Sequence, residues 1–141
     1  MEEMSQEEWR AFVLEGTRTA KLAVTRADGS PHLKPIWFVL DGDEFVFTTA
    51  ETSVTGRVLR RDPRVSLLVD DEAPPFAYVL AEGRAAVETE LEPLRSWATR
   101  IGGRYMGADR ADEFGARNGV PGELLVRVTP SKLLARRGIA D

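Results

Sequence analysis

Two stretches of this chain carry residue types suited to holding a planar, anionic ligand. Residues 48–64 read Thr48-Thr49-Ala50-Glu51-Thr52-Ser53-Val54-Thr55-Gly56-Arg57-Val58-Leu59-Arg60-Arg61-Asp62-Pro63-Arg64, a strand ending in hydroxyls followed by a helix that opens on hydroxyls and closes on arginines. A helix start offers free N–H groups and the positive end of the backbone dipole. The added Thr hydroxyls and a guanidinium would make an anion site. The same spacing describes a capped surface helix with solvated arginines, and spacing alone does not choose between them. The second stretch is Pro31-His32-Leu33-Lys34-Pro35-Ile36-Trp37-Phe38. Two prolines four apart in a strand predict an edge or distorted strand, whose unpaired backbone groups are free to meet a planar heterocycle. Trp37 then lines the ring pocket, or else Trp37 and Phe38 are core.

Other chemistries are excluded by composition. The chain has no Cys, which removes disulfides, thiol catalysis, iron–sulfur clusters and Cys-ligated zinc. Its one imidazole, His32, cannot make a two-His metal site, and its expected role is structural. No metal site is expected. Asp41 and Asp43 fall in a hairpin turn, and Asp70, Asp71 and Glu72 end a strand, so neither set is framed as an acid–base pair. The phosphate loops GxGxxG and GxxxxGK[ST] and the nucleophile elbow GxSxG are absent. No catalytic residue stands out. The net charge of −4 opposes a generic nucleic-acid binder. Of the 19 basic residues 16 are Arg, which fits a coding bias or a need for bidentate grip on phosphate and carboxylate. The apolar run Ile36-Trp37-Phe38-Val39-Leu40 is too short to span a membrane. The acidic start Met1-Glu2-Glu3 has no apolar signal core, so a cytoplasmic location is expected.

The elements that must position these residues follow from periodicity. The 141 residues make one domain, 1–141. Ser5 and Glu8 form a capping box for a helix over about 5–16, with Trp9, Phe12 and Val13 on its inner side. Ala20, Leu22 and Val24 alternate along a strand, and Asp28-Gly29 signals a hairpin. A second strand over 32–40 and a third over 44–49, with Phe45 and Phe47 on one face, complete an expected meander. A short helix over 53–61 is expected to turn Val54, Val58 and Leu59 inward. Strands over 64–70 and 76–89 follow, with Gly83 predicting a bulge or close backbone approach. A helix over 90–101 is expected to break at Gly102-Gly103, and a second over 109–118 to stop at Asn118-Gly119. A strand over 123–128, extended by 132–135, brings the total to six or seven. The expected class is mainly β (α+β), a barrel with short flanking helices.

The order of these segments resembles the pyridoxamine 5'-phosphate oxidase-like split β-barrel superfamily, and more narrowly its actinobacterial branch that uses the deazaflavin coenzyme F420. The resemblance rests on Ala20-Lys21-Leu22-Ala23-Val24, Asp28-Gly29-Ser30-Pro31-His32, Pro35-Ile36-Trp37-Phe38, Phe47-Thr48-Thr49 and residues 56–65. It continues through Tyr78-Val79-Leu80-Ala81-Glu82-Gly83, Arg104-Tyr105-Met106-Gly107 and residues 118–123. It implies a homodimer with two cofactor sites at the subunit interface. It implies that the strand from Pro35 through Ile36 and Trp37 to Phe38 meets the ring system, and Lys34 and Tyr78 are further candidate cofactor-binding residues. Thr48, Thr49, Thr55, Gly56 and Arg57 would hold the phosphate, and Arg60 and Arg61 the acidic tail. The implied activity is hydride transfer from reduced F420 to an enone, imine, quinone or tetrapyrrole, with water or a pocket residue such as Tyr78 or Tyr105 as candidate proton sources. Members often have Lys where this chain has Thr55 and Asn where it has Val58. FMN is therefore the alternative cofactor, and a non-enzymatic binder of flavin or deazaflavin the alternative function.

Overall fold

The computed structural model describes residues 1–141. In chain order the elements are β1 (Glu2–Glu3), α1 (Gln6–Leu14), β2 (Ala20–Thr25), β3 (Pro31–Ile36), β4 (Val39–Asp41), β5 (Glu44–Ala50) and α2 (Val54–Leu59). They continue with β6 (Arg64–Asp71), β7 (Ala77–Glu88), α3 (Leu91–Met106), α4 (Ala111–Asn118) and β8 (Glu123–Arg137). All strand pairs are antiparallel, in the order β3-β2-β6-β7-β8-β5-β4, with β1 added to β8. The two ends of this path, β3 and β4, are separated in the chain by only Trp37 and Phe38. The sheet must therefore curl until its two edges lie a two-residue step apart, yet no ladder joins them. This is a barrel with an open seam, as the split-barrel expectation requires.

The predicted meander is corrected by this topology. The strand expected over 32–40 is two strands, and its halves serve opposite edges of the sheet. Residues 31–36 pair with β2, and Val39–Asp41 pair with β5. Both hairpins form where the turn residues predicted them. Ser30 donates from its N and Oγ to Asp28 Oδ1, at 2.9 and 2.6 Å. The Asp41-Gly42-Asp43 turn is held from outside, since Arg127 donates to Asp41 at 2.8 Å and Gln6 to Asp43 at 2.8 Å. Those carboxylates dock neighbouring elements, as turn residues rather than acid–base groups.

Alternation accounts for the core. Leu22, Phe38, Phe45, Phe47, Leu67 and Leu124 fill the barrel, with Trp9 and Val13 of α1 closing one end. The capping box on α1 is present in both directions, Glu8 N to Ser5 Oγ and Ser5 N to Glu8 Oε1. Val46 and Leu125 face outward and are also fully buried, because α3 lays Leu94 over them. β5 is covered on both faces, hence its unbroken apolar run.

Three local expectations are corrected. Val54 is 42% exposed, and the inward side of α2 is Thr55, Gly56, Val58 and Leu59. α3 does not break at Gly102-Gly103 but runs on to Met106. A Cβ on Gly102 would collide with Phe114, and one on Gly103 would come within 3.3 Å of the Ala111 Cβ, so this pair lets α4 approach rather than stopping a helix. The eighth strand, Glu2–Glu3, lies beyond the six or seven expected and is tied to Arg136 and Arg137 by ion pairs. β8 is one strand through Arg137, with the register shift expected at Gly83.

The turn from α2 into β6 rests on Asp62. Its Oδ1 accepts from Arg64 N and Nε at 3.1 Å each, and its Oδ2 from the guanidinium at 2.8 Å. The Arg64 hydrogen bonds hold its carboxyl down at about 2, from an ordinary 3.8. A depressed carboxyl contributes stability above its unfolded pKa and loses it as pH falls through the folded one. Asp62→Asn is therefore expected to lose stability at neutral pH and to show a shallower decline between about pH 4 and pH 2, read as urea midpoints.

Candidate functional site

The seam positions the site. β4 covers β5 only from Glu44 to Val46, so the outer edge of β5 beyond Val46 is unpaired. Lys34, Pro35, Ile36 and Trp37 from β3 and its exit, with Thr48 and Thr49 from β5, line one cavity of about 350 Å³. Six of the residues expected at a cofactor site thus converge. Ala50, Ser53, Ile101, Asn118 and Glu123 complete the lining. Ser53 and Asn118 carried a signal only as helix ends, and Glu123 only as a strand start. Nothing local in the sequence marks their convergence, because they come from α2, α4 and β8.

A polar chain crosses the seam. Lys34 Nζ donates to Thr49 Oγ1 at 3.4 Å, Thr49 Oγ1 and Ser53 Oγ lie 3.1 Å apart, and Ser53 Oγ donates to Ala50 O at 2.7 Å. Ser53 also caps α2, accepting from Gly56 N at 3.0 Å. Lys34 is half-buried and makes no salt bridge; burial holds its pKa below the ordinary lysine value, with Glu123 opposing weakly. Glu123 is held above the ordinary carboxylate value by burial, with Lys34 opposing. The cavity contains one cation that no carboxylate pairs, next to hydroxyls and an indole.

The remaining expected residues fall elsewhere. Thr55 is 1% exposed and its Oγ1 has no hydrogen-bond partner. Gly56 lets α2 sit against the end of β5: a Cβ there would strike Ala50 O and lie 2.9 Å from Glu51 Cα. Its role within the chain is close packing. Arg57 is exposed, Arg60 pairs with Glu51 at 3.2 Å, and Arg61 donates to Thr25 O at 3.0 Å, all outside the cavity lining. Tyr78 lines a different cavity of about 530 Å³, with Leu68, Phe76 and Ile139 and the acidic Asp70, Asp71 and Glu72. His32 makes only a 3.1 Å contact with Arg26.

α3 holds the seam in shape. Trp37 is half-buried and stacks on Tyr105 with centroids 5.0 Å apart and planes 4° from parallel, so it both packs and lines the cavity. The Tyr105 hydroxyl donates to Arg18 O at 2.7 Å and accepts from Phe38 N at 3.1 Å. Its proton is donated to a carbonyl and burial raises its pKa. Arg104 donates to Phe38 O at 2.6 Å, Val13 O at 2.8 Å, Gly16 O at 3.1 Å and Arg18 O at 3.3 Å. The N–H and the carbonyl of Phe38, in the strand break that no ladder serves, are thus both satisfied by one helix end. Tyr105→Phe keeps the stacking, strands the Phe38 N–H and leaves the Arg18 carbonyl with only its 3.3 Å bond from Arg104; a loss of about 1–2 kcal/mol is expected in urea denaturation.

An antiparallel barrel open at one seam, with a half-buried cation, hydroxyls and an indole lining a cavity in the opening, defines a split barrel. Residues 5–136 match the family model described as pyridoxamine 5'-phosphate oxidase, and the chain belongs to that family. An F420H(2)-dependent biliverdin reductase of Mycobacterium tuberculosis (strain CDC 1551 / Oshkosh) is 29% identical over 86 residues, 61% of this chain. The match spans 62% of that curated relative's length. The crystal structure of a conserved hypothetical protein from Mycobacterium tuberculosis is 31% identical with a TM-score of 0.85, covering 96% of this chain and 86% of that one. The structure of an F420 reductase is 25% identical with a TM-score of 0.68, covering 87% and 94%. No helix of the chain is long and apolar enough to cross a membrane.

Proposed function

We propose that the chain is an F420-dependent oxidoreductase that works as a homodimer, with its cofactor seated in the open seam. The observation that carries this reading is the half-buried, unpaired Lys34 beside Thr49 and Ser53, in a cavity that Trp37 also lines. An ammonium in that setting is poised for an anionic group, and hydrogen bonds to charged groups are the stronger kind. These residues fit a phosphate-bearing flavin or deazaflavin. Similarity to an F420H(2)-dependent biliverdin reductase and to an F420 reductase favours the deazaflavin. FMN is the second candidate, supported by the family to which the chain belongs.

When bound, reduced F420 supplies a hydride for an electron-poor acceptor, and a tetrapyrrole is the acceptor class that the curated relative's name favours. The chain's own part is positional. Lys34 Nζ and the Thr49 and Ser53 hydroxyls hold the anionic group, and the Trp37 indole, fixed by Tyr105, walls the cavity. Ile36 and Ile101 exclude water from that wall. A second copy covers the open mouth, and Arg57, Arg60 and Arg61 serve the acidic tail from outside. The test is anaerobic mixing of protein and reduced F420 with a tetrapyrrole, a quinone and an enone, following the fluorescence of oxidised F420. Acceptor-dependent oxidation is expected, fastest with the tetrapyrrole. Bound F420 that no acceptor oxidises would make the chain a binder rather than an enzyme.

A further inference from the structure

Glu123 opens β8, pairs with Ala50 at the end of β5, and lines the seam cavity together with Lys34, Trp37 and Thr49. It is half-buried, with no side-chain hydrogen bond or salt bridge. The nearby Glu51 is engaged by Arg60 at 3.2 Å. Of the groups that face the cavity, β5 contributes the hydroxyls of Thr48 and Thr49, α3 Ile101, and the end of α4 Asn118. Lys34 from β3 and Glu123 from β8 are its only charges. They have opposite signs but do not pair.

An anion that settles on Lys34 therefore meets Glu123 as a like charge. Two anions in a half-buried space shift one of them toward its protonated form. The anion also neutralises Lys34, whose field is what opposes the burial of the Glu123 carboxylate. Both effects push in one direction. We propose that Glu123 makes anion binding in the seam proton-coupled, so that one proton from solvent enters with the anion and resides on the Glu123 carboxyl. This rests on reading the seam as the seat of an anionic cofactor. It also gives the cavity a chemical preference. The occupied site presents a carboxylic acid, a hydrogen-bond donor, where the empty one presents an acceptor. The ligand that fits carries an anionic group at Lys34 and an acceptor, such as a carbonyl or ring nitrogen, facing Glu123.

The sign of the pH dependence follows. Protonated Glu123 favours the anion, so affinity rises as pH falls toward the Glu123 midpoint and levels off below it. The experiment uses the full chain and two readouts. First, the Glu123 side-chain carboxyl is titrated by carbon-13 NMR with and without saturating sodium sulfate, whose charge is constant across this range. Sulfate is expected to raise the midpoint. Second, Kd values for F420 and FMN are measured for the wild type and Glu123→Gln between about pH 5.5 and pH 8. Wild-type affinity should fall more steeply with rising pH than that of Glu123→Gln, the two slopes differing by up to about tenfold per pH unit. At about pH 8, Glu123→Gln should bind more tightly than the wild type. Ionisation of the ligand is common to both proteins and cancels in the comparison. A Glu123 midpoint unmoved by sulfate, or equal slopes for both proteins, would overturn the proposal. A sulfate-dependent shift without binding of either cofactor would uphold the proton coupling and reject the cofactor reading. Cofactor binding without that shift would do the reverse.

Discussion

Lys34→Gln is expected to weaken F420 and FMN binding by about 10- to 100-fold, with little change in stability. Lys34 makes no salt bridge in the chain: its one side-chain hydrogen bond is a 3.4 Å contact to Thr49 Oγ1, and Glu123 acts on its charge only through the field. Two unit charges about 4 Å apart interact by about 4 kcal/mol at an effective dielectric of about 20. Solvent at the open seam reduces that to the 1.5–3 kcal/mol or so typical of a hydrogen bond to a charged group. Gln keeps the length of most of the side chain and a donor, so the loss isolates the charge. Burial acts on this cation more strongly than Glu123 offsets, so the urea midpoint should stay level or rise slightly. Isothermal titration and urea denaturation of the same preparation separate the two effects.

Arg104→Ala is expected to cost about 3 kcal/mol or more in urea denaturation, among the largest losses for a single residue of this fold. Four carbonyls, at Val13, Gly16, Arg18 and Phe38, lose a charged donor at once. The guanidinium also lies over the Phe38 and Tyr105 rings, at 4.7 and 4.8 Å. These contacts tie the end of α1, the entry to β2 and the β3–β4 break to α3. Without them Phe38 and Trp37 are no longer held in place, and cofactor binding should fall with stability. Arg104→Lys restores the charge but not the planar fork, and is expected to recover only part of the loss. That partial rescue distinguishes loss of geometry from loss of charge.

The sequence made the local devices readable and left the long-range ones hidden. The alternation of Ala20, Leu22 and Val24, the Asp28-Gly29 turn and the Ser5–Glu8 box each act within a few residues, and each forms as expected. The seam is different. Ile36-Trp37-Phe38-Val39-Leu40 is an unbroken apolar run with no Gly or Pro after Pro35, so it reads as one strand. What breaks it is the curl of the whole sheet and the donors that Arg104 and Tyr105 bring from 66 and 67 residues away. Gly102-Gly103 misleads for a related reason. Glycine at a helix end and glycine at a helix crossing look alike until Phe114 is placed against them. In the candidate site, Lys34–Trp37, Thr48 and Thr49 were reachable because each lies on a contiguous segment. Ser53, Asn118 and Glu123 were not, since their side chains meet only after three separate elements have packed.

Whether the seam holds a deazaflavin is tested most directly by titrating the purified chain with F420 and, in parallel, with FMN, followed by ligand fluorescence, with Lys34→Gln as the control. Saturable binding with a clear preference for F420, weakened in the control, is the predicted result. Binding of neither ligand, or binding of F420 that Lys34→Gln leaves unchanged, would contradict it.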